Sequence, residues 1–159
     1  MDYVKLAKAM GFDNAGVMRV EDLVIVPEYR KLCERNTCGN YNKEPGCPPM
    51  CGELSDMVSD MAGYENALIL KTVNPCNDYY DRAEQKAIQA KQNRLTLSLY
   101  ELMKKDGAGD MLVMTAGPWE DYSCLSAYCI NAQKMAEAVG MSCWKNDKMA
   151  RYFSLILYK

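Results

Sequence analysis

The stretch NALILKTV, residues 66–73, is apolar enough to be a buried strand of a central sheet. A long helical pattern follows over residues 78–105, with apolar side chains on one stripe and polar residues elsewhere. A second apolar strand, MLVMTA, comes next at residues 111–116. This alternation of strand, helix and strand predicts an α/β fold.

Shorter elements flank this unit on both sides. Before it, the patterns predict a helix that ends at Gly11, a strand over residues 15–20, and helices over residues 27–34 and 54–61. After it, they predict a helix over residues 128–139 and an antiparallel hairpin of short strands at residues 141–144 and 152–158. We therefore expect one domain over residues 1–159, an α/β sandwich whose helices flank a mixed sheet.

Length, charge and hydropathy exclude several classes of function. The chain has 159 residues and a formal net charge of -2, and it contains no run of lysine or arginine that could follow a phosphate backbone. No apolar stretch approaches the roughly 18 residues that span a bilayer, and the start lacks a signal-peptide pattern. We expect a cytoplasmic protein that binds neither nucleic acid nor membrane.

The chain contains eight cysteines and no histidine. Thiols stay reduced in the cytoplasm, so metal binding or redox chemistry explains the cysteines better than a set of disulfides. The lack of imidazole excludes Cys-His nucleophilic pairs and histidine-based zinc sites. Any transition-metal site must be mainly thiolate.

Four of the cysteines, Cys33, Cys38, Cys47 and Cys51, lie in a segment rich in Asn, Gly and Pro, which we call the cysteine loop, residues 33–52. Their spacing is C-x4-C-x8-C-P-P-x-C. Four thiolates suit an iron–sulfur cluster or tetrahedral zinc, and the spacing matches neither the usual ferredoxin nor the usual zinc pattern. Buried packing thiols, or a reactive thiol in a redox enzyme, are the alternatives.

The other four cysteines lie outside this loop. Cys124 and Cys129 are five residues apart, so on a helix they would point in different directions, and we expect both to be packing residues. We also expect Cys143 to be a core thiol within a strand. Cys76 follows a predicted strand end, so it is the one remaining thiol that we expect near the cysteine loop.

Two segments, CERNTCGNY at residues 33–41 and CPPMCG at residues 47–52, resemble the signature of the family called domain of unknown function 2284, described as predicted metal-binding proteins. Short segments near residues 115–118 and 126–131 are also similar to family members. Members commonly carry a further ferredoxin-like group of cysteines after a Gly-Pro pair, whereas Gly117-Pro118 is followed here by WEDYS. The resemblance implies a metal-binding protein in which this second group is missing.

We therefore expect one all-cysteine centre on the cysteine loop, with an iron–sulfur cluster of the 4Fe-4S type as the first candidate and zinc as the second. We expect Tyr41, Pro48 and Pro49 to border it. A cluster would imply a redox or electron-transfer role with a redox protein as partner, whereas zinc would imply a binding module. The sequence has no paired carboxylates, phosphate-binding loop or dinucleotide fingerprint that would indicate an enzyme.

Overall fold

The computed structural model describes every residue, Met1–Lys159. Four strands form one sheet in the order β1-β2-β4-β3, where β1 is Asn14–Arg19, β2 is Asn66–Pro75, β3 is Met111–Met114 and β4 is Met149–Tyr158. The predicted α/β class is confirmed.

The sheet is antiparallel throughout, so the prediction of a mixed sheet is wrong. The cause is the position of the last strand. Strands β2 and β3 run in the same direction, as expected for strands joined by a helix, but β4 lies between them and is antiparallel to both. Every pair of neighbouring strands is therefore antiparallel.

Five α-helices surround the sheet: α1 Tyr3–Met10, α2 Tyr29–Glu34, α3 Leu54–Met61, α4 Arg82–Lys105 and α5 Ala132–Ala138. Two 3₁₀ helices add Val20–Asp22 and Leu125–Tyr128. The Asp2 carboxylate accepts hydrogen bonds from the first backbone N–H groups of α1, and Asp81 does the same for α4. Gly11 ends α1 with a positive φ of 123°, which a residue with a side chain rarely adopts.

The two faces of the sheet carry separate cores. Helices α1 and α4 cover one face, where Leu68, Leu70, Leu99 and Ile156 are fully buried. The opposite face is covered by α3, α5 and the 3₁₀ helix Leu125–Tyr128, which form a larger core. The cysteine loop lies on this second side, because Cys51 packs against its core, as does Cys124 from the segment after β3.

Two predictions for the C-terminal third are wrong. Residues 141–144 form no strand, because both edges of β4 are already paired, with β2 and with β3, so no hairpin partner has an edge to join. The helix predicted over residues 128–139 begins only at Ala132. Cys129 has a left-handed backbone, with φ 57°, which separates α5 from the preceding 3₁₀ helix.

None of the helices is both long and apolar enough to cross a lipid bilayer. The longest, α4, carries charged residues along its length and packs on the sheet through a single face.

Candidate metal centre

The cysteine loop folds back on itself through its own backbone. The N–H of Tyr41 donates to the side-chain oxygen of Asn36 at 3.0 Å, and the N–H of Asn42 donates to the carbonyl of Pro48 at 2.9 Å. Pro48 is buried, Tyr41 is half-buried and Pro49 is exposed. These bonds bring the two halves of the loop together, so it is an ordered turn structure despite its lack of regular elements.

Arg30, on α2, fixes the end of the loop to the rest of the molecule. Its guanidinium donates to the carbonyl of Gly52 at 3.1 Å and to the carbonyl of Ala127 at 3.2 and 3.1 Å. The same group lies 3.6 Å from the Sγ of Cys51 and 3.0 Å from the Sδ of Met57. One side chain thus connects the loop, α3 and the 3₁₀ helix Leu125–Tyr128.

A second chain segment packs directly on the loop. A Cβ built on Gly46 would stand 2.0 Å from the carbonyl oxygen of Tyr122, so only glycine fits there. The segment beyond Tyr122 is held in turn by the sheet, since the N–H of Thr115 donates to the carbonyl of Ser123 at 3.1 Å. A bridge between Thr115 and Cys124 extends this pairing. Cys124 is thereby fixed beside the cysteine loop.

The four loop cysteines differ in exposure, and the charges of the others act on the pKa of Cys47. Cys47 is buried, Cys33 and Cys51 are half-buried and Cys38 is exposed. Burial raises the pKa of Cys47 to about 12, and the thiolate charges of Cys124, Cys38, Cys51 and Cys33 act in the same direction. No group of three or more cysteine, aspartate or glutamate side chains is arranged to hold a single metal ion. The thiols are near one another without forming a closed mononuclear cage.

Cys124 and Cys129 lie beside the loop, which the sequence did not reveal. Burial raises the pKa of Cys33, and among the charges that raise it further Cys124 is the strongest, followed by Cys129 and Cys38. The prediction assumed one regular helix through both residues, but Cys124 has an extended backbone and Cys129 a left-handed one. More than 70 residues of chain separate them from the loop cysteines, so no local pattern could indicate that they lie close to the loop.

The two remaining cysteines lie away from this group. The sulfur of Cys76 is 3.2 Å from the Glu84 carboxylate and 3.1 Å from the amide nitrogen of Gln85, so it belongs to the start of α4 rather than to the cysteine loop. Cys143 is half-buried at the margin of the larger core and lies outside any strand.

Two surface cavities border the loop. A cleft of about 760 Å³ has Cys33 and Cys38 on one side and Ser126, Ile130 and Gln133 on the other. On the far side of Cys38, a polar groove of about 460 Å³ runs between the loop and α4 and contains three cations, Lys43, Arg82 and Lys86, together with Glu44. The thiol of Cys38 is therefore reachable from two directions and that of Cys33 from one.

Comparison with known families finds a match over most of the chain. The family model described as a predicted metal-binding protein, DUF2284, matches residues 16–124 of the chain. The chain belongs to the DUF2284 family. No curated protein and no solved structure matches it. The matched part of this DUF2284 protein contains all four cysteines of the loop and ends at Cys124.

The donor set of this DUF2284 protein fits a thiophilic metal centre. Cys33, Cys38, Cys47, Cys51 and Cys124 offer only sulfur, and the chain has no histidine to complete a mixed site. Burial and mutual repulsion raise the pKa of Cys47, so its thiolate is costly by itself. A bound cation offsets that cost, because it stabilises thiolates and displaces their protons.

Proposed function

We propose that this DUF2284 protein holds one iron–sulfur cluster, of the 4Fe-4S type, on Cys33, Cys38, Cys47 and one further thiolate, and that it transfers electrons. The observation that carries the proposal is the placement of Cys124 beside the cysteine loop, through the contact of Gly46 with Tyr122 and the bridge between Thr115 and Cys124. The sequence spacing favours Cys51 as the further thiolate, whereas the fold favours Cys124.

An all-thiolate donor set suits either an iron–sulfur cluster or tetrahedral zinc. We infer a cluster because the cleft beside Cys33 and Cys38 leaves these thiols open to an electron-transfer partner, which a closed structural zinc site does not need. A structural zinc site is the alternative.

An iron–sulfur cluster supplies one-electron oxidation and reduction when it is bound. The residues of this chain determine what surrounds it. Pro48 and Pro49 restrict the backbone beside Cys47, and Arg30 places a positive charge next to Cys51, which favours the reduced, more negative state of a nearby centre. The cleft beside Cys33 and Cys38 brings a partner or small acceptor within reach.

A reactive-thiol enzyme is less well supported. Nucleophilic cysteines have a lowered pKa, whereas burial raises the pKa of Cys33, Cys47, Cys51 and Cys124. We infer that the partner is another redox protein, and the cations of the polar groove beside Cys38 favour an acidic one. Faster electron transfer at low than at high ionic strength would support that inference.

The test is reversible reduction of protein purified without oxygen. We expect a broad visible absorbance that bleaches on addition of dithionite and returns on mild oxidation, and we expect Cys47→Ser to lack it. A colourless protein that contains stoichiometric zinc and does not respond to dithionite would overturn the iron–sulfur proposal in favour of the structural zinc site.

A further inference from the structure

Lys71, on β2, is the one buried lysine of the chain. Its side chain and backbone together are only 7% exposed, whereas every other lysine is exposed to solvent. A charged amine is costly to bury unless a carboxylate or several hydrogen bonds compensate it. The groups around Lys71 therefore decide whether its amine carries a charge.

The strand register places Lys71 near one end of the sheet, on the side of the larger core. Lys71 lies directly opposite Phe153 of β4, and Ile69, two residues earlier on β2, faces the same way. Phe153 and Ile69 both belong to the larger core. The amine is 5.9 Å from the centroid of the Phe153 ring, the outer limit of a cation–π contact, and the ring accepts no conventional hydrogen bond.

The amine of Lys71 has no partner. No hydrogen-bond acceptor reaches it, and no carboxylate oxygen lies within 4.0 Å of it. Two carboxylates in the neighbourhood are engaged elsewhere. The carboxylate of Asp13 accepts a hydrogen bond from the N–H of Val73 at 2.7 Å. Both oxygens of Asp147 bind the guanidinium of Arg151, at 2.9 and 2.7 Å.

The charges that face Lys71 are mainly positive. Arg151 shares its face of the sheet, one step further along the paired strands β2 and β4. Burial lowers the pKa of Lys71, and the charges of Arg151 and Lys145 lower it further. Cys143 and Asp13 raise it, each by less. The neutral form of the amine is thus favoured more than at any exposed lysine.

The amine is nevertheless in contact with solvent. The fully buried side-chain nitrogen and oxygen atoms that lack a hydrogen-bond partner are Trp119 Nε1 and Arg151 Nε. The amine of Lys71 also lacks a partner, yet it is not one of these atoms, so it retains some exposure. A small molecule can therefore reach it.

A cavity lies beside this part of the sheet. A Cβ built on Gly16 would stand 3.6 Å from the Cε of Met141, and Gly16 pairs with Ile69, two residues from Lys71 on the same face. Met141 and Cys143 line a cavity of about 320 Å³. The volume is enough for a small organic molecule next to the segment that covers this end of β2.

We propose that Lys71 is a nucleophilic amine that binds a small aldehyde or ketone covalently and reversibly. Burial without a partner, next to other cations, is the environment that makes a lysine amine nucleophilic. The nitrogen attacks the carbonyl carbon, water leaves and an imine forms. Addition of water reverses the reaction, so neither an oxidant nor a reductant is required. The site uses none of the cysteines assigned to the metal centre.

The test is reductive labelling of the folded wild-type chain with propanal and cyanoborohydride near neutral pH. Cyanoborohydride reduces each imine to a stable secondary amine, and peptide mass spectrometry gives a rate for every lysine. We expect Lys71 to react about tenfold faster than the average exposed lysine, because a larger share of its amine is neutral. Burial alone would make Lys71 the slowest lysine. A rate equal to or below that of the exposed lysines overturns the proposal.

Two controls connect the rate to the fold. In urea, all lysines are exposed alike, and we expect the advantage of Lys71 to disappear. We also expect it to disappear at pH 10.5, the ordinary pKa of lysine, because half of the exposed amines are then neutral as well. An advantage that persists in the unfolded chain or at pH 10.5 overturns the proposal, since the folded environment would not be its cause. Neither control depends on a bound metal.

Discussion

Gly46 lies directly against the backbone carbonyl of Tyr122, where an added Cβ would stand 2.0 Å from the oxygen. This contact joins the cysteine loop to a segment 76 residues further along the chain. Because the atom that approaches Gly46 belongs to the backbone, it cannot move aside as a flexible side chain would. The metal centre that we propose depends on this contact, since it brings Cys47 and Cys124 together.

Replacement of Gly46 by alanine should therefore separate the two segments. We expect Gly46→Ala to lower the free energy of unfolding by about 1–3 kcal/mol, the usual cost of overpacking, and to reduce the metal content. Gly63→Ala is the matched control, because its Cβ would stay 3.4 Å from the nearest atom. Denaturant unfolding and metal analysis check both variants, and equal behaviour of the two would contradict the contact.

Arg30 should contribute substantially to the stability of the protein and to the order of the cysteine loop, although it lies on a short helix. Its guanidinium bonds the carbonyls of Gly52 and Ala127, so we expect Arg30→Met to cost about 2–3 kcal/mol of stability through lost charged hydrogen bonds. We also expect faster proteolysis within the cysteine loop. Arg35→Met, at an exposed residue one turn beyond, should change neither quantity. If both variants resist protease equally, Arg30 does not fix the loop.

Asn93 positions the segment that leads to Cys124 from the other side of the molecule. Its fully buried side chain accepts a hydrogen bond from the N–H of Ala116 at 2.8 Å and donates to the carbonyl of Ala116 at 2.9 Å. We expect Asn93→Leu to lose about 2–4 kcal/mol, because two backbone groups are left unsatisfied. Thermal unfolding measures the loss, and a change below about 0.5 kcal/mol would show that water or other groups replace Asn93.

The stability of the metal-free protein should fall at alkaline pH. Burial raises the pKa of Cys47 from 9.0 to about 12, so the folded chain holds this proton more tightly than the unfolded chain does. Its contribution is complete below pH 9 and is lost as pH rises towards 12. Urea unfolding at pH 8 and pH 10.5 should show a steeper decline for the wild type than for Cys47→Ser. Equal declines in stability of the two proteins would show that the Cys47 thiol is exposed to water in the folded chain.

The sequence predicted the elements well where the signal is local. Helix α1 with its Gly11 cap, strand β2 and helix α4 follow from apolar periodicity and from end signals, and all three are present. It did not predict the place of β4, because insertion of a C-terminal strand between β2 and β3 is a long-range choice that no local pattern encodes. The hairpin predicted at residues 141–144 failed for the same reason.

The sequence likewise predicted the local part of the site and missed the long-range part. The cysteine loop is evident from its spacing and its family resemblance, and family membership supports metal binding in general. The approach of Cys124 depends on the contact of Gly46 with Tyr122 and on the pairing of Thr115 with Ser123. Both are tertiary contacts, so a helical interpretation of the spacing between Cys124 and Cys129 pointed away from the site.

The metal and sulfide content of wild-type protein purified without oxygen decides between an iron–sulfur cluster and zinc. We expect about four irons and about four acid-labile sulfides per chain, as a single cubane cluster requires. One zinc per chain with neither iron nor sulfide would contradict that expectation and would assign the thiols to a structural site.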